Sequence, residues 1–336
     1  MKRLIAVILV VVLALSVCAC SPVNETPVAV LWADGDTAVN PISLINAMDR
    51  AMYIENVNYT YYGAQGDAAM QLKQAEEALA AGCAALLVEP VDPGAAVLFT
   101  ALAQAKNIPV IFFGKAVDKT VAEGYEKCYI VTTDEATLTA KRDEMLTEYL
   151  KDEKTVKKLD RNEDGKIAVV NLTGGEVSLK VEGVEFMMLE AAEEVDSQTA
   201  ELVLTADDVT AKNVLVSLQA KGYNTDKLTT HYVAIFTVGN TVDYKALVLK
   251  DAPAEEADRK AHFEANKFLC DLTVVEKEED LQALFFSTIH VIDAGRLAGT
   301  VLEDQDGIAE AVAKLVSDIC KGNTVQKETK VPYTTH

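Results

Sequence analysis

The chain is sparing with the residues that staple small folds or attack substrates. It has six cysteines in 336 residues, and two of them fall within the first twenty. The other four, Cys83, Cys128, Cys270 and Cys320, are widely spaced and form no CxxC pair. A chain of this length can bury cores of its own without a disulfide framework, so buried free thiols are expected and a single bridge stays open. Four histidines, His231, His262, His290 and His336, are too scattered to make a zinc site. There is no GxGxxG, no P-loop, no HExxH, and no serine or cysteine spaced from a histidine as a nucleophile would be. Carboxylates abound, but number alone defines no acid–base pair. These absences argue against the enzyme classes those motifs mark and leave only an acid–base carboxylate pair open. Positive charge is scarce too: 31 Lys and Arg face 52 Asp and Glu, a net charge of −21. Nucleic acid and anionic headgroups need clustered cations and are excluded as partners.

What the chain does have begins at its first residues. Lys2 and Arg3 precede an apolar run from Leu4 to Leu15, followed by Ser16-Val17-Cys18-Ala19-Cys20-Ser21. The run is shorter than the roughly 20 residues a permanent spanning helix needs. A charged start, a short apolar middle and a small-residue exit describe a secretory leader. Ala19 before Cys20 resembles a lipobox, in which the cysteine is acylated. Cys18 is the competing choice, with bulkier Val17 before it. The expectation is a leader over residues 1–19 and a tether over 20–27. The mature chain is then anchored outside the cytoplasmic membrane by lipid on Cys20.

The body alternates apolar runs with amphipathic stretches. Strands are expected at 27–32, 57–62, 84–88 and 108–113, with helices at 43–53, 67–81 and 93–105 between them. The rhythm restarts with strands at 166–172, 199–204 and 232–236 and helices at 181–192 and 207–220. Residues 251–266 are charged and Ala-rich, a helical or loop insertion. Apolar strands alternating with helices imply parallel sheets covered on both faces, an α/β fold.

Four segments carry a family resemblance: Gly82–Ala96, Asn107–Lys115, Asp160–Ile167 leading to Thr173-Gly-Gly-Glu176, and Gly295–Asp304 with a terminal Val331-Pro-Tyr333. In order and spacing they resemble the galactose/glucose-binding proteins of the type I periplasmic-binding fold, from about residue 27 onward, with a poor match at 230–290. The resemblance implies two similar three-layer α/β lobes with parallel sheets, joined by a hinge of three crossovers. Their expected extents are 28–132 plus 304–325, and 133–303 plus 326–336. It further implies a monomer that binds one small polar solute, by default a galactose- or glucose-like sugar, in the interlobe cleft. Such a chain delivers its solute to an ABC permease. The alternative is a sensory or scaffolding lipoprotein of the same fold, with another ligand or none.

Two constellations carry chemistry. Asp160-Arg-Asn162-Glu-Asp164-Gly165 matches the first half of an EF-hand loop, with Lys166 offering its carbonyl to a structural calcium ion. The alternative is an acidic turn before a strand. Related binding proteins complete the ion's shell with a side chain at the ninth loop position, here Ala168, and a distant Glu, sought near His231-Tyr232. For the solute, Asp36 matches the family's first-loop aspartate. Ala38, Gly114, Ser178, Lys180, Val184 and Glu303 replace family contact residues. Trp32 ends the first strand, with Asp34 and Asp36 after it, Glu89 after the third and Lys115 after the fourth. A tryptophan among carboxylates suits a cationic ligand or a polyol. The alternative is that Trp32 packs and the acids are solvated.

Overall fold

In the computed structural model residues 23–33, 39–177, 179–190, 195–225, 231–267, 269–274 and 286–336 are described. The leader, Cys20, Asp34, Asp36, Ala38 and Ser178 lie outside them. Among the described residues no helix is long and apolar enough to cross a membrane.

The chain divides into two compact units, one ending at Asp134 and resuming over Asp304–Pro332, the other Glu135–Glu303 with Tyr333–His336. It therefore passes from one to the other three times.

The first unit begins β1 (Val28–Trp32), α1 (Val39–Ile54), β2 (Tyr59–Gly63), α2 (Ala68–Ala80) and β3 (Leu86–Val88). It continues through α3 (Ala96–Lys106), β4 (Val110–Phe112), α4 (Thr120–Glu123) and β5 (Cys128–Thr133). Local chemistry explains the boundaries. Asp67 caps α2 by accepting from the N–H groups of Ala69 and Met70 at 2.8 and 3.1 Å. Asn107, at φ 56°, ends α3 in the left-handed region that asparagine tolerates.

The second unit starts with α5 (Leu138–Leu150), α6 (Glu153–Leu159), β6 (Lys166–Leu172), β7 (Glu185–Leu189) and β8 (Leu202–Thr205). Then come α7 (Asp208–Ala220), β9 (Ala234–Val238), α8 (Tyr244–Lys250), α9 (Glu256–Asn266), α10 (Thr288–Asp293) and β10 (Gly299–Glu303). The chain closes with α11 (Gln305–Cys320), β11 (Glu328–Val331) and β12 (Tyr333–Thr335).

The first sheet runs β11-β5-β4-β3-β1-β2, every pair parallel. The second runs β12-β10-β9-β8-β6-β7, parallel except for the β10–β12 pair. All five residues of β1 are buried, as a strand covered on both faces requires. On one face, Met48 and Met52 of α1 meet Val312 and Val316 of α11; on the other, Ala75 and Phe99 pack over Leu31, Leu86 and Phe112. In the second unit, Leu215 and Leu218 of α7 lie over Val203 and Ile235, while Leu146 and Leu150 of α5 cover Val169 and Leu204.

The structure corrects the expected pattern in two places. The helix anticipated over 181–192 is absent, and β7 occupies 185–189 instead. The cause is local: the Val184 N–H donates to the Val181 carbonyl at 3.2 Å across a turn whose Gly183 has φ 78°. A helix cannot run through that turn. Residues 328–331, grouped from sequence with the second lobe, form β11 and pair with β5 in the first sheet. The insertion at 251–266 contains α9. The four cysteines are free; Cys128 and Cys270 are buried, Cys83 is half-buried and Cys320 is exposed.

Candidate functional site

In open parallel sheets ligands bind beyond the carboxyl ends of the strands, so those ends define the candidate site in each unit. In the first unit their organiser is Gln71, 1% exposed, which sequence reading missed. Its Nε2 donates to the Glu89 carbonyl at 2.7 Å, and its Oε1 accepts from the Val91 N–H at 2.9 Å. One buried amide thus satisfies the loop after β3. Glu89 itself is 9% exposed, with Oε2 accepting from the Ala33 N–H at 3.1 Å.

Gly114 adjoins this carboxylate. Its φ is 73°, and a Cβ placed there would stand 3.2 Å from Glu89 Cγ and 3.3 Å from Oε1. Both facts call for glycine: the backbone is left-handed, and the Glu89 side chain fills the space. Lys115 is half-buried, its N–H donating to the Phe113 carbonyl at 2.8 Å in a tight turn. Glu89 and Gly114 are therefore brought together, and Lys115 follows Gly114 in the turn.

Trp32 is not part of that surface. It is 2% exposed and sits edge-on to Tyr61 and Phe113, with ring centroids 5.8 and 5.2 Å away. The expectation that it stacks on a ligand gives way to packing. Beneath it, Asp49 Oδ1 accepts from the hydroxyls of Tyr59 and Tyr61 at 2.8 and 2.6 Å. Burial, then the hydrogen bond to Asp49, pushes Tyr59 up to about 12 and raises Tyr61 as well.

In the second unit, Asn171 Oδ1 accepts from the Thr173 N–H and hydroxyl at 3.0 and 2.7 Å, and its amide donates to the Gly175 carbonyl. After β8 come Asp207, which caps α7, and Asp208, which is 2% exposed. After β9 come Gly239, Asn240 and Thr241. None of these residues stood out in the sequence, because an Asp-Asp pair before a helix reads as capping and first-turn charge. Lys180 is exposed on the connection before β7, and Glu303 is exposed at the end of β10, opposite Tyr333.

The acidic loop folds as a closed turn. Asp160 accepts from the N–H groups of Asp164 and Gly165 at 3.1 and 3.0 Å, Asn162 Oδ1 from that of Asp164, and Asp164 from that of Lys166. A further carboxylate reaches it from the residue before β8, not from the strand near His231. Glu201, 2% exposed, accepts from the N–H of Arg161 and, at 2.9 Å, from that of Ala168. The Arg161 guanidinium donates to the carbonyls of Ser197 and Ala200 and lies over the Tyr223 ring. Among the described residues no group of three His, Cys, Asp or Glu is gathered for a metal ion.

Thiol chemistry finds no support. Burial pushes Cys83 up to about 11 and Cys270 up to about 12, away from the thiolate a nucleophile needs.

Comparison with known proteins bears on the fold. Residues 43–184 match the family described as periplasmic binding protein domain. The chain is 26% identical over 271 residues to the D-galactose/methyl-galactoside binding periplasmic protein of Haemophilus influenzae, covering 79% of this chain and 73% of that one. Among solved structures it is similar to a periplasmic ribose ABC transporter protein from Conexibacter woesei, at TM-score 0.52 and 12% identity over 94% and 92% of the two chains. A Brachyspira murdochii protein described as an ABC transporter, LacI family transcriptional regulator, gives TM-score 0.51 at 13% identity over 93% and 95%. At such identities the structures speak to the fold: the two units are α/β lobes of the type I periplasmic-binding kind.

Proposed function

From a chain that carries a periplasmic binding protein domain and folds as the type I kind, we propose an extracytoplasmic binding protein of an ABC importer. It takes a small polar solute, by default a sugar, at the carboxyl-end loops of its strands. The observation that carries this reading is the polar furnishing of those loops. In one unit a buried hydrogen bond from the Ala33 N–H places Glu89, with Lys115 following Gly114 beside it; in the other, Asn171 and Thr173 bond each other and Asn240 accepts from the Ile289 N–H. A few fixed donors and acceptors on a rigid scaffold are what recognition of hydroxyls requires. The kinship with the galactose-binding protein of Haemophilus influenzae supports a sugar. Lipid attachment at Cys20 would hold the protein at the membrane beside its permease.

A thermal-shift screen of D-galactose, D-glucose, D-ribose, L-arabinose and myo-inositol tests the solute class. One of them raising Tm in a saturable way supports it; no shift with any removes the sugar. Loss of lipid incorporation in Cys20→Ala would support the anchor.

The acidic loop is proposed to hold calcium through Asp160, Asn162, Asp164, the Lys166 carbonyl and Glu201. Support comes from the donor chemistry, all oxygen with three carboxylates, which calcium selects; the three carboxylates are not gathered about one point in the fold, so binding would have to draw them together. Bound there, the ion would fasten the loop to the start of β8. Chelator should lower Tm of the native chain and leave Asp160→Asn/Asp164→Asn unaffected. A native Tm indifferent to chelator would leave the loop as the closed turn its hydrogen bonds already make.

A further inference from the structure

Two aspartates stand at the start of α7, and only one is needed there. Asp207 caps the helix, accepting from the Thr210 N–H at 2.7 Å. Asp208 turns away from that task and is 2% exposed. Burying a carboxylate is costly unless its oxygens are satisfied. Here they are satisfied by groups far along the chain. The Thr241 N–H, the Val242 N–H at 3.0 Å and the Thr288 hydroxyl at 3.1 Å donate to Oδ2, and the Thr241 hydroxyl donates to Oδ1 at 2.9 Å. All four donors are neutral, so this is a backbone clamp and not an ion pair.

The clamp grips the loop after β9 and the first residue of α10 together. Around it the loop is fixed from the other side. The Gly239 N–H donates to the Val301 carbonyl and the Thr300 hydroxyl to the Gly239 carbonyl, each at 2.8 Å. Gly239 has φ 98°, and a Cβ there would lie 3.4 Å from Asp208 Oδ1. Asn240 Oδ1 accepts from the Ile289 N–H at 3.1 Å, which fixes the amide's orientation and leaves its NH2 as the group the loop offers.

We propose that Asp208 is a positioning residue for solute binding, setting the loop 239–242 so that Asn240 presents an N–H donor to an acceptor oxygen of the solute. The proposal rests on the reading that these carboxyl-end loops take a solute. Asp208 acts through the loop and touches no solute itself.

Asp208→Asn in the full mature chain tests it, because an amide NH2 cannot accept from the loop N–H groups. Amide hydrogen exchange at Thr241 and Val242 should quicken at least about tenfold, with the amides of β8 and β9 unchanged. The Kd for D-galactose should rise by about tenfold or more. Thr241→Val, which drops one hydroxyl donor and keeps the carboxylate, should show the same local pattern at smaller size, and stands in if Asp208→Asn does not fold. Unchanged exchange at 241–242 overturns the proposal. So does protection lost equally across β8 and β9, or a freed loop with unaltered D-galactose affinity. If the native chain does not bind D-galactose, Kd is read with whichever sugar of the panel raises Tm; if none does, the sugar reading fails separately, and the exchange experiment still decides whether Asp208 sets the loop.

Discussion

The two units lay their strands in the same order but cover them differently. Counted from the first strand of each, both sheets run sixth, fifth, fourth, third, first, second. In the first unit β1 reaches β2 through the sixteen-residue α1, whose Met48 and Met52 are fully buried against the sheet. In the second unit the connection from β6 to β7 is the short stretch 173–184, pinched by the turn at Gly183. Its Val177, Leu179, Val181 and Val184 are only partly buried against the face that Leu146 and Leu150 cover. The shared sheet order therefore does not depend on a helix in this crossover. A helix in the crossover is one way to cover a face; an apolar strap is another, with less area buried.

Substitutions can break this comparison. The largest effect belongs to Trp32→Ala, which opens the first unit's core and should cost about 3–5 kcal/mol, read from denaturant midpoints. A loss of solute binding with stability intact would return Trp32 to the binding surface. Met48→Ala in α1 should cost about 2–5 kcal/mol, whereas Leu179→Ala in the strap should cost about 1 kcal/mol. Equal losses would make the strap as integral as the helix. Gly114→Ala should cost about 1–2 kcal/mol from its left-handed backbone. It should also weaken solute binding by displacing Glu89, seen as a higher Kd.

The smallest effect is at high pH. Tyr59 is held up to about 12 against an ordinary value near 10, so its folded form keeps the proton longer than the unfolded chain does. The stabilisation is whole below about pH 10 and is lost as pH rises towards 12. Absorbance of tyrosinate should show native Asp49 holding this titration up, and Asp49→Asn should lower the midpoint.

The sequence showed α/β alternation and most strand positions because apolar runs such as Val28–Trp32 and Ile167–Val170 have no solvent face to hide them. It misread 181–192 because Phe186-Met-Met-Leu189 suits a helix or a buried strand equally, and only the turn at Gly183 decides. Candidate residues near a strand's end, Glu89 and Lys115, were legible by position. Gln71, Asp208 and Glu201 were not, since each acts on backbone groups brought close by folding and separated by many residues. Trp32 failed for the reverse reason: a residue at the end of a strand can point into the core as readily as out of it.

Isothermal titration of the protein with the sugar that gives the largest thermal shift tests the central claim most directly. One solute per chain, with a Kd in the micromolar range or tighter and a marked loss in Asn240→Ala, is the predicted result. No heat of binding with any sugar of the panel, or affinity untouched by changes at both Glu89 and Asn240, would contradict it.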